Sequence, residues 1–256
     1  MLITVKNLLL NAIKPMFFWV MVSKVLKRFE KRKPNEALQW AIENSSDMDS
    51  VFLQIHETLW LEAKSEYARV MREAKPTLSN IKHNLGGGGA FPLLYFLCRL
   101  LKPQVVVETG VAAGWSSLAF LSALDKNEQG KLYSSDFPYF RLYRPEQFIG
   151  VLVPSKLRKR WLLDVRGDRV AIPNILQKIS KVDIFHYDSD KSFSGKSFAL
   201  GHVKKVLSKK SVIVFDDIQD DTFFRDLTKK NELKYFLVFK FEGKYLGLYS
   251  NFNFYN

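Results

Sequence analysis

The chain has 256 residues, of which 47% are hydrophobic and 25% charged, with a net charge of +13. That length and balance exclude bulk disorder and give room for one well-cored α/β domain with modest additions. Its single cysteine, Cys98, excludes an intramolecular disulfide and any zinc site built on cysteines, and its apolar surroundings suit a buried, inert thiol.

The charge is concentrated at the start. Residues 1–34 hold eight Lys/Arg against Glu30, a net of +7, which leaves +6 for the rest of the chain. Residues 1–22 are rich in Leu, Ile, Phe and Trp, but Lys6, Asn7, Asn11, Lys14 and Pro15 interrupt them. The uncharged run 16–22 is far short of the roughly 20 residues that span a bilayer. No small-residue cleavage site or strongly basic start marks a secretory leader. Followed by KVLKRFEKRK, this segment suits an anionic membrane surface, or a helix packed on the rest of the chain or on a second subunit. The expectation is a cytoplasmic protein, with peripheral membrane contact through residues 1–33 and a homodimer both left open.

Residues 35–75 place apolar side chains at three- and four-residue spacing, which predicts two helices parted by Ser45-Ser46-Asp47. They make 35–84 a helical cover, between the basic apolar segment 1–34 and a third unit, 85–256. The glycines at 86–89 form a loop, and 90–102 a helix closed by Pro103. Strand and helix signals then alternate: strand 105–108, helix 115–126, strand 131–136, a strand within 179–190, helix 196–210 and strand 211–217. Residues 233–241 and 244–250 make a final pair turned at Glu242-Gly243. Near-continuous apolar strands separated by helices predict an α/β fold whose mostly parallel sheet is covered on both faces and ends in an antiparallel hairpin.

Ligands of such sheets bind beyond the carboxyl ends of the strands, so the residues there carry the chemistry. The first end is Glu108-Thr109-Gly110, with Gly114 four residues on. Gly110 can take a backbone conformation that other residues avoid, and small residues allow a ligand close to the main chain. The spacing is not that of a dinucleotide fingerprint, and no phosphate-binding lysine follows. Glu108 would repel a pyrophosphate and suits an ammonium. The second end is Asp136, placed to accept from both hydroxyls of a ribose. A nucleoside with a cationic amino-acid tail fits both ends, as S-adenosylmethionine does. The third and fourth ends bring Asp188 and Asp190, then Asp216 and Asp217. If their strands are neighbours, four carboxylates crowd together, and such hard oxygen donors favour Mg²⁺, with Mn²⁺ or Ca²⁺ as alternatives. His186, inside its apolar strand, is expected to be a satisfied core histidine.

ETGVAAGWSS, YSSDFP, RGDRVAIP, DIFHYDSDKSFSG and SVIVFDDI, in this order, resemble class I SAM-dependent methyltransferases. More narrowly, they are similar to the metal-assisted O-methyltransferases of the macrocin and catechol type and their cephalosporin-hydroxylase-like relatives. The resemblance covers about residues 85–250 and implies a Rossmann-like class I sheet. It implies SAM contacts from Glu108, Gly110, Gly114, Ser116, Asp136 and Asp168, and Mg²⁺ ligation by Asp188, Asp216 and Asp217. Where many relatives carry histidine, this chain has Lys191, which joins Asp188 as the candidate catalytic pair. The implied reaction is methyl transfer from SAM to a hydroxyl of a small molecule, such as a sugar or glycoside, with no nucleic-acid partner. A membrane-peripheral binding protein with a degenerate methyltransferase fold is the alternative.

Overall fold

A computed structural model of the chain describes residues 2–14, 17–18, 20–22, 33–140, 142–230 and 235–255. Most of the basic run 24–33, and residues 231–234 ahead of the final hairpin, lie outside the described residues.

The β-branched run Val105, Val106 and Val107 forms β2 (Val105–Thr109), which pairs in parallel with β3 (Lys131–Ser135) and β5 (Val182–Tyr187). β4 (Trp161–Asp164) extends the sheet in parallel beyond β3, and β6 (Leu207–Phe215) beyond β5. β8 (Lys244–Ser250) runs antiparallel to both β6 and β7 (Tyr235–Phe241). The two-residue β1 (Ser45–Ser46) pairs in parallel with β7. Among the described residues this is one sheet of eight strands in the order β1-β7-β8-β6-β5-β2-β3-β4. The chain leaves β2 toward β3 and β4, then returns to β5 on the other side, so the switch point of the sheet lies between β2 and β5.

Helices cover both faces, and the strands' period of two divides the core between them. On one face Val106, Ile184, Val212 and Val214 pack in one cluster with residues of α3 (Met48–Ser79), α4 (Phe91–Leu101) and α5 (Trp115–Lys126). On the other, Val107, Phe185, Ile213 and Phe215 cluster with α6 (Asp168–Leu176), α7 (Phe193–Val203) and α8 (Phe223–Lys229). Two further helices precede these, here α1 (Leu2–Ala12) and α2 (Pro34–Asn44) in chain order. The α3 residue Phe52 lies 4.9 Å from Phe96 and 5.1 Å from Phe239, ring centre to ring centre, so the helical cover shares the core of the sheet.

Several predicted boundaries shift. Asp47 caps α3 by accepting the Ser50 N–H at 2.7 Å, but Ser45 and Ser46, read as part of the cap, also pair with Val238 and Phe239. α3 continues through a kink at His56, where φ is −163° and ψ 87°. The helix predicted to reach residue 210 ends at Val203, and β6 starts at Leu207. The first half of β6, Leu-Ser-Lys-Lys, is exposed or half-buried, so its side chains lack the apolar run of a core strand. β4, α6 and α8 were not predicted as elements. No helix among the described residues is long and apolar enough to cross a membrane. Cys98 is fully buried, and burial raises its thiol pKa, as an inert core cysteine requires.

Candidate functional site

The turn after β2 is fixed by its neighbours. Gly110 adopts φ +81°, and a Cβ there would lie 2.1 Å from the Asp188 carbonyl oxygen, so only glycine fits against the end of β5. The Gly110 N–H donates to Ser135 O at 2.8 Å and the Asp188 N–H to Thr109 O at 3.0 Å, tying three strand ends together. Gly114, at φ +100°, precedes α5, and a Cβ there would lie 2.9 Å from the Gly150 Cα. The Gly150 and Leu152 N–H groups donate to Ala112 O and Ala113 O at 2.9 and 3.0 Å, laying the segment around Gly150 over this turn. Ser116 is buried in the first turn of α5.

Glu108 is fully buried on the α5 side of the sheet. Its Oε2 accepts from Ser117 Oγ at 2.6 Å and Ser134 Oγ at 2.7 Å, and Ser134 Oγ in turn accepts from Trp161 Nε1 at 2.8 Å. Its Oε1 has no hydrogen-bond partner among the described residues, nor do the buried Thr109 Oγ1 and Trp115 Nε1 of the same segment. His186 is a core residue, but not the satisfied one the sequence suggested. Its Nδ1 is unpartnered, 3.8 Å from Glu108 Oε1.

Both other acids implied for the cofactor stand at this end of the sheet. Asp136 accepts the Ala112 N–H on Oδ2 at 2.8 Å and the Phe137 N–H on Oδ1 at 2.6 Å, holding Ala112 at φ 50°. Asp168, the first residue of α6, accepts from Ser135 Oγ at 2.6 Å and from Ser189 Oγ, joining the ends of β3 and β5.

The ends of β5 and β6 are neighbours, with Tyr187 paired to Phe215. One oxygen each from Asp188, Asp216 and Asp217 lies within 4.8 Å of the others. Asp190 turns away: its Oδ1 accepts the Ser192 N–H at 3.1 Å, and a Cβ at Gly195 would lie 2.6 Å from its Oδ2. The expected four acids are therefore three. Burial drives the Asp188 carboxyl pKa well above the usual range, with repulsion from Asp216 and Asp217 adding to it and Lys244 opposing. Asp217 goes the other way. Burial works upward on it, but the ammonium of Lys191, then those of Lys244 and the amide of Gln219, bring it below its ordinary value.

Lys191 donates to Asp217 Oδ2 and stands 3.9 Å from Asp220. The sequence reading missed Lys244, whose Nζ lies 3.2 Å from Asp217 Oδ1 and 3.8 Å from Asp216 Oδ2. Burial works downward on its pKa, but Asp216, Asp217 and Asp188 hold it above the ordinary value. Its signal was faint: it is the first residue after the Glu242-Gly243 turn, and the antiparallel hairpin returns it to the acids. Tyr139 was also missed. It donates to Leu85 O at 3.1 Å, and its phenol is pushed up to about 12, mainly by burial, with Asp136 and Asp188 contributing.

Residues 107–218 match a family model described as a methyltransferase domain. A comparison with curated protein sequences returns no match. Among solved structures, the chain is similar to an O-methyltransferase from Bacillus cereus in complex with SAH, at 13% identity and a TM-score of 0.55, over 73% of this chain and 90% of that one. It is also similar to the O-methyltransferase TomG from Streptomyces achromogenes, involved in tomaymycin synthesis and in complex with SAM. That likeness has 16% identity and a TM-score of 0.54, over 74% of this chain and 89% of that one. A putative O-methyltransferase from Klebsiella pneumoniae gives 14% identity and a TM-score of 0.54, over 72% and 88% of the two chains. At these identities the likeness is one of fold. Residues 107–218 thus match a methyltransferase-domain model, and the chain shares the fold of these O-methyltransferase structures.

Proposed function

We propose that the chain transfers the methyl group of SAM to a hydroxyl of a small molecule, and that Asp188, Asp216 and Asp217 hold Mg²⁺ for this reaction. The observation that carries the proposal is the convergence of three carboxylates at the strand ends, with Asp188 directly against Gly110. The descriptions of the structural neighbours as O-methyltransferases, two of them with SAH or SAM bound, support it. A sugar or glycoside acceptor is the class carried over from the macrocin-type resemblance.

The residues fit both groups. Three hard oxygen donors, with the Asp188 carboxyl raised by burial and by repulsion from the other two, are the donor set for Mg²⁺. Glu108 Oε1, Thr109 Oγ1 and Trp115 Nε1, buried and unpartnered, leave polar capacity around the turn assigned to the methionine end of SAM. Bound Mg²⁺ acts as a Lewis acid that lowers the pKa of a ligating hydroxyl. Gly110, Gly114 and Ser116 shape the donor side of the site. Asp136 takes the ribose hydroxyls, and Asp168 stands on the adenine side. Lys191 serves as a positive charge beside Asp217 that orients the acceptor. Holding donor and acceptor in line supplies much of the acceleration in such transfers. A degenerate fold used only for binding is not favoured by the methyltransferase-domain match.

The test is SAH release by the full chain with Mg²⁺ and a panel of sugars, glycosides and phenols. We expect turnover with at least one hydroxylated acceptor, abolished by EDTA and restored by Mg²⁺. Turnover unaffected by EDTA would remove the metal from the proposal, and methylation confined to amines or thiols would remove the hydroxyl.

A further inference from the structure

Helix α1 has its polarity reversed for a helix that faces water. Among its described side chains, those from residue 6 on, the inward side is polar: Asn7 and Asn11 are only 8% and 5% exposed. The Asn11 Nδ2 donates to Phe140 O at 2.9 Å and to Leu142 O at 3.4 Å. Its outward side is apolar, with Leu9 63% and Leu10 48% exposed, and Ile13, one residue past the helix, 76%. Lys6, Leu9, Leu10 and Ile13 follow the i, i+3, i+4, i+7 spacing of a single helix face. A helix seated on a protein and bathed in water normally shows the opposite arrangement, because apolar burial drives the seating.

Among the described residues, the contacts that seat this segment are made by other side chains. Lys14 pairs with Glu146 at 3.1 Å, and the buried Phe17 meets the rings of Phe137 and Phe140 at 5.2 and 5.8 Å. Phe137 directly follows Asp136, so α1 is anchored on the segment that leaves the second strand end of the site.

Charge selects what covers the face. Residues 1–34 carry eight Lys/Arg against one acid. A second copy on the same face would bring two such segments together and repel. Nucleic acid would attract the cations but give leucine and isoleucine no apolar partner. An anionic bilayer surface answers both features, with headgroups for the lysines and acyl chains for the apolar side. With 11 residues, α1 is about 16 Å long at the usual helical rise, enough to lie in the interface but not to cross it. We propose that the outer face of α1, with Lys6 at its border, docks on the surface of an anionic lipid bilayer. This interaction is separate from the methyl-transfer chemistry and does not depend on it.

The test is co-sedimentation of the full chain with vesicles of phosphatidylcholine alone or mixed with phosphatidylserine. The expected result is pelleting with the mixed vesicles, weak pelleting with phosphatidylcholine alone, and release by added salt. Leu9→Ser combined with Ile13→Ser should weaken binding at least about tenfold, since both side chains lose their apolar burial. Both positions are exposed, so the melting temperature should match wild type and rule out misfolding. A milder variant, Lys6→Gln, should weaken binding to mixed vesicles by about fivefold and leave phosphatidylcholine binding unchanged. A wild-type chain that stays in the supernatant with mixed vesicles overturns the proposal, as does undiminished pelleting of the double variant. A dimer seen by sedimentation velocity and lost in the double variant, without vesicle binding, assigns the face to a second copy instead.

Discussion

Gly110 approaches the Asp188 backbone so closely that a methyl group in its place would sit 2.1 Å from the carbonyl oxygen. Gly110→Ala should cost about 1–3 kcal/mol in urea unfolding, through overpacking and a positive φ. It should also weaken SAM binding, because relief comes only by moving the turn or Asp188. Lys244 offers a different test. Its ammonium lies where a cation ligated by Asp216 and Asp217 would feel it, so it competes with Mg²⁺ for the cluster. Lys244→Met should raise Mg²⁺ affinity by about tenfold in a calorimetric titration, given charges a few ångströms apart near a protein surface. Unchanged or weakened affinity would mean that Lys244 does not oppose the metal. The acids were legible because each follows an apolar strand in the sequence. Lys244 and Tyr139 were not, since a hairpin and a loop bring them to the site and nothing local announces where those return. Glu108 was legible as a carboxylate at a strand end. That its side chain lies between β2 and α5, bonded to Ser117 and Ser134, is set by which face residue 108 falls on.

Between elements, a buried ion pair ties α7 to the segment that follows the acid cluster. Lys196 and Asp221, each 2% exposed, meet at 3.0 Å, and Asp221 also accepts the Phe223 N–H that opens α8. Lys196→Met should cost about 3–5 kcal/mol, because Asp221 is left as an uncompensated buried charge. Asp221→Asn in that background should recover part of the loss, and thermal unfolding of both variants would show it. The helical cover makes a parallel case. Phe52→Ala should destabilise the chain by about 3–5 kcal/mol in a single unfolding transition, since Phe52 packs against α4 and β7. Two separate transitions would mean that the cover folds apart from the sheet. The long periodic helices and the apolar strands could be read in advance. β4 could not: its apolar run is only Trp161 to Leu163, directly after the basic stretch 155–160, too short to mark a strand. α8 escaped notice because seven residues are too few to establish a helical period.

For the molecule as a whole, topology turns scattered motifs into a site. β2 sits between β3 and β5, and β5 beside β6, so residues 108, 136, 188 and 216 come to one end of one sheet although they span most of the domain. The order of motifs in the sequence was enough to expect this, because parallel strands joined by helices leave few alternatives. The sequence left the N-terminal segment open between a membrane surface and a packed helix, and only the fold shows the asparagines turned inward. The central claim is that this end of the sheet binds SAM, and calorimetric titration of the full chain with SAM tests it most directly. The account predicts saturable binding by wild type, and none by Gly110→Trp in a variant that still melts cooperatively. Absence of binding by wild type at millimolar SAM, or binding undiminished by Gly110→Trp, would contradict it.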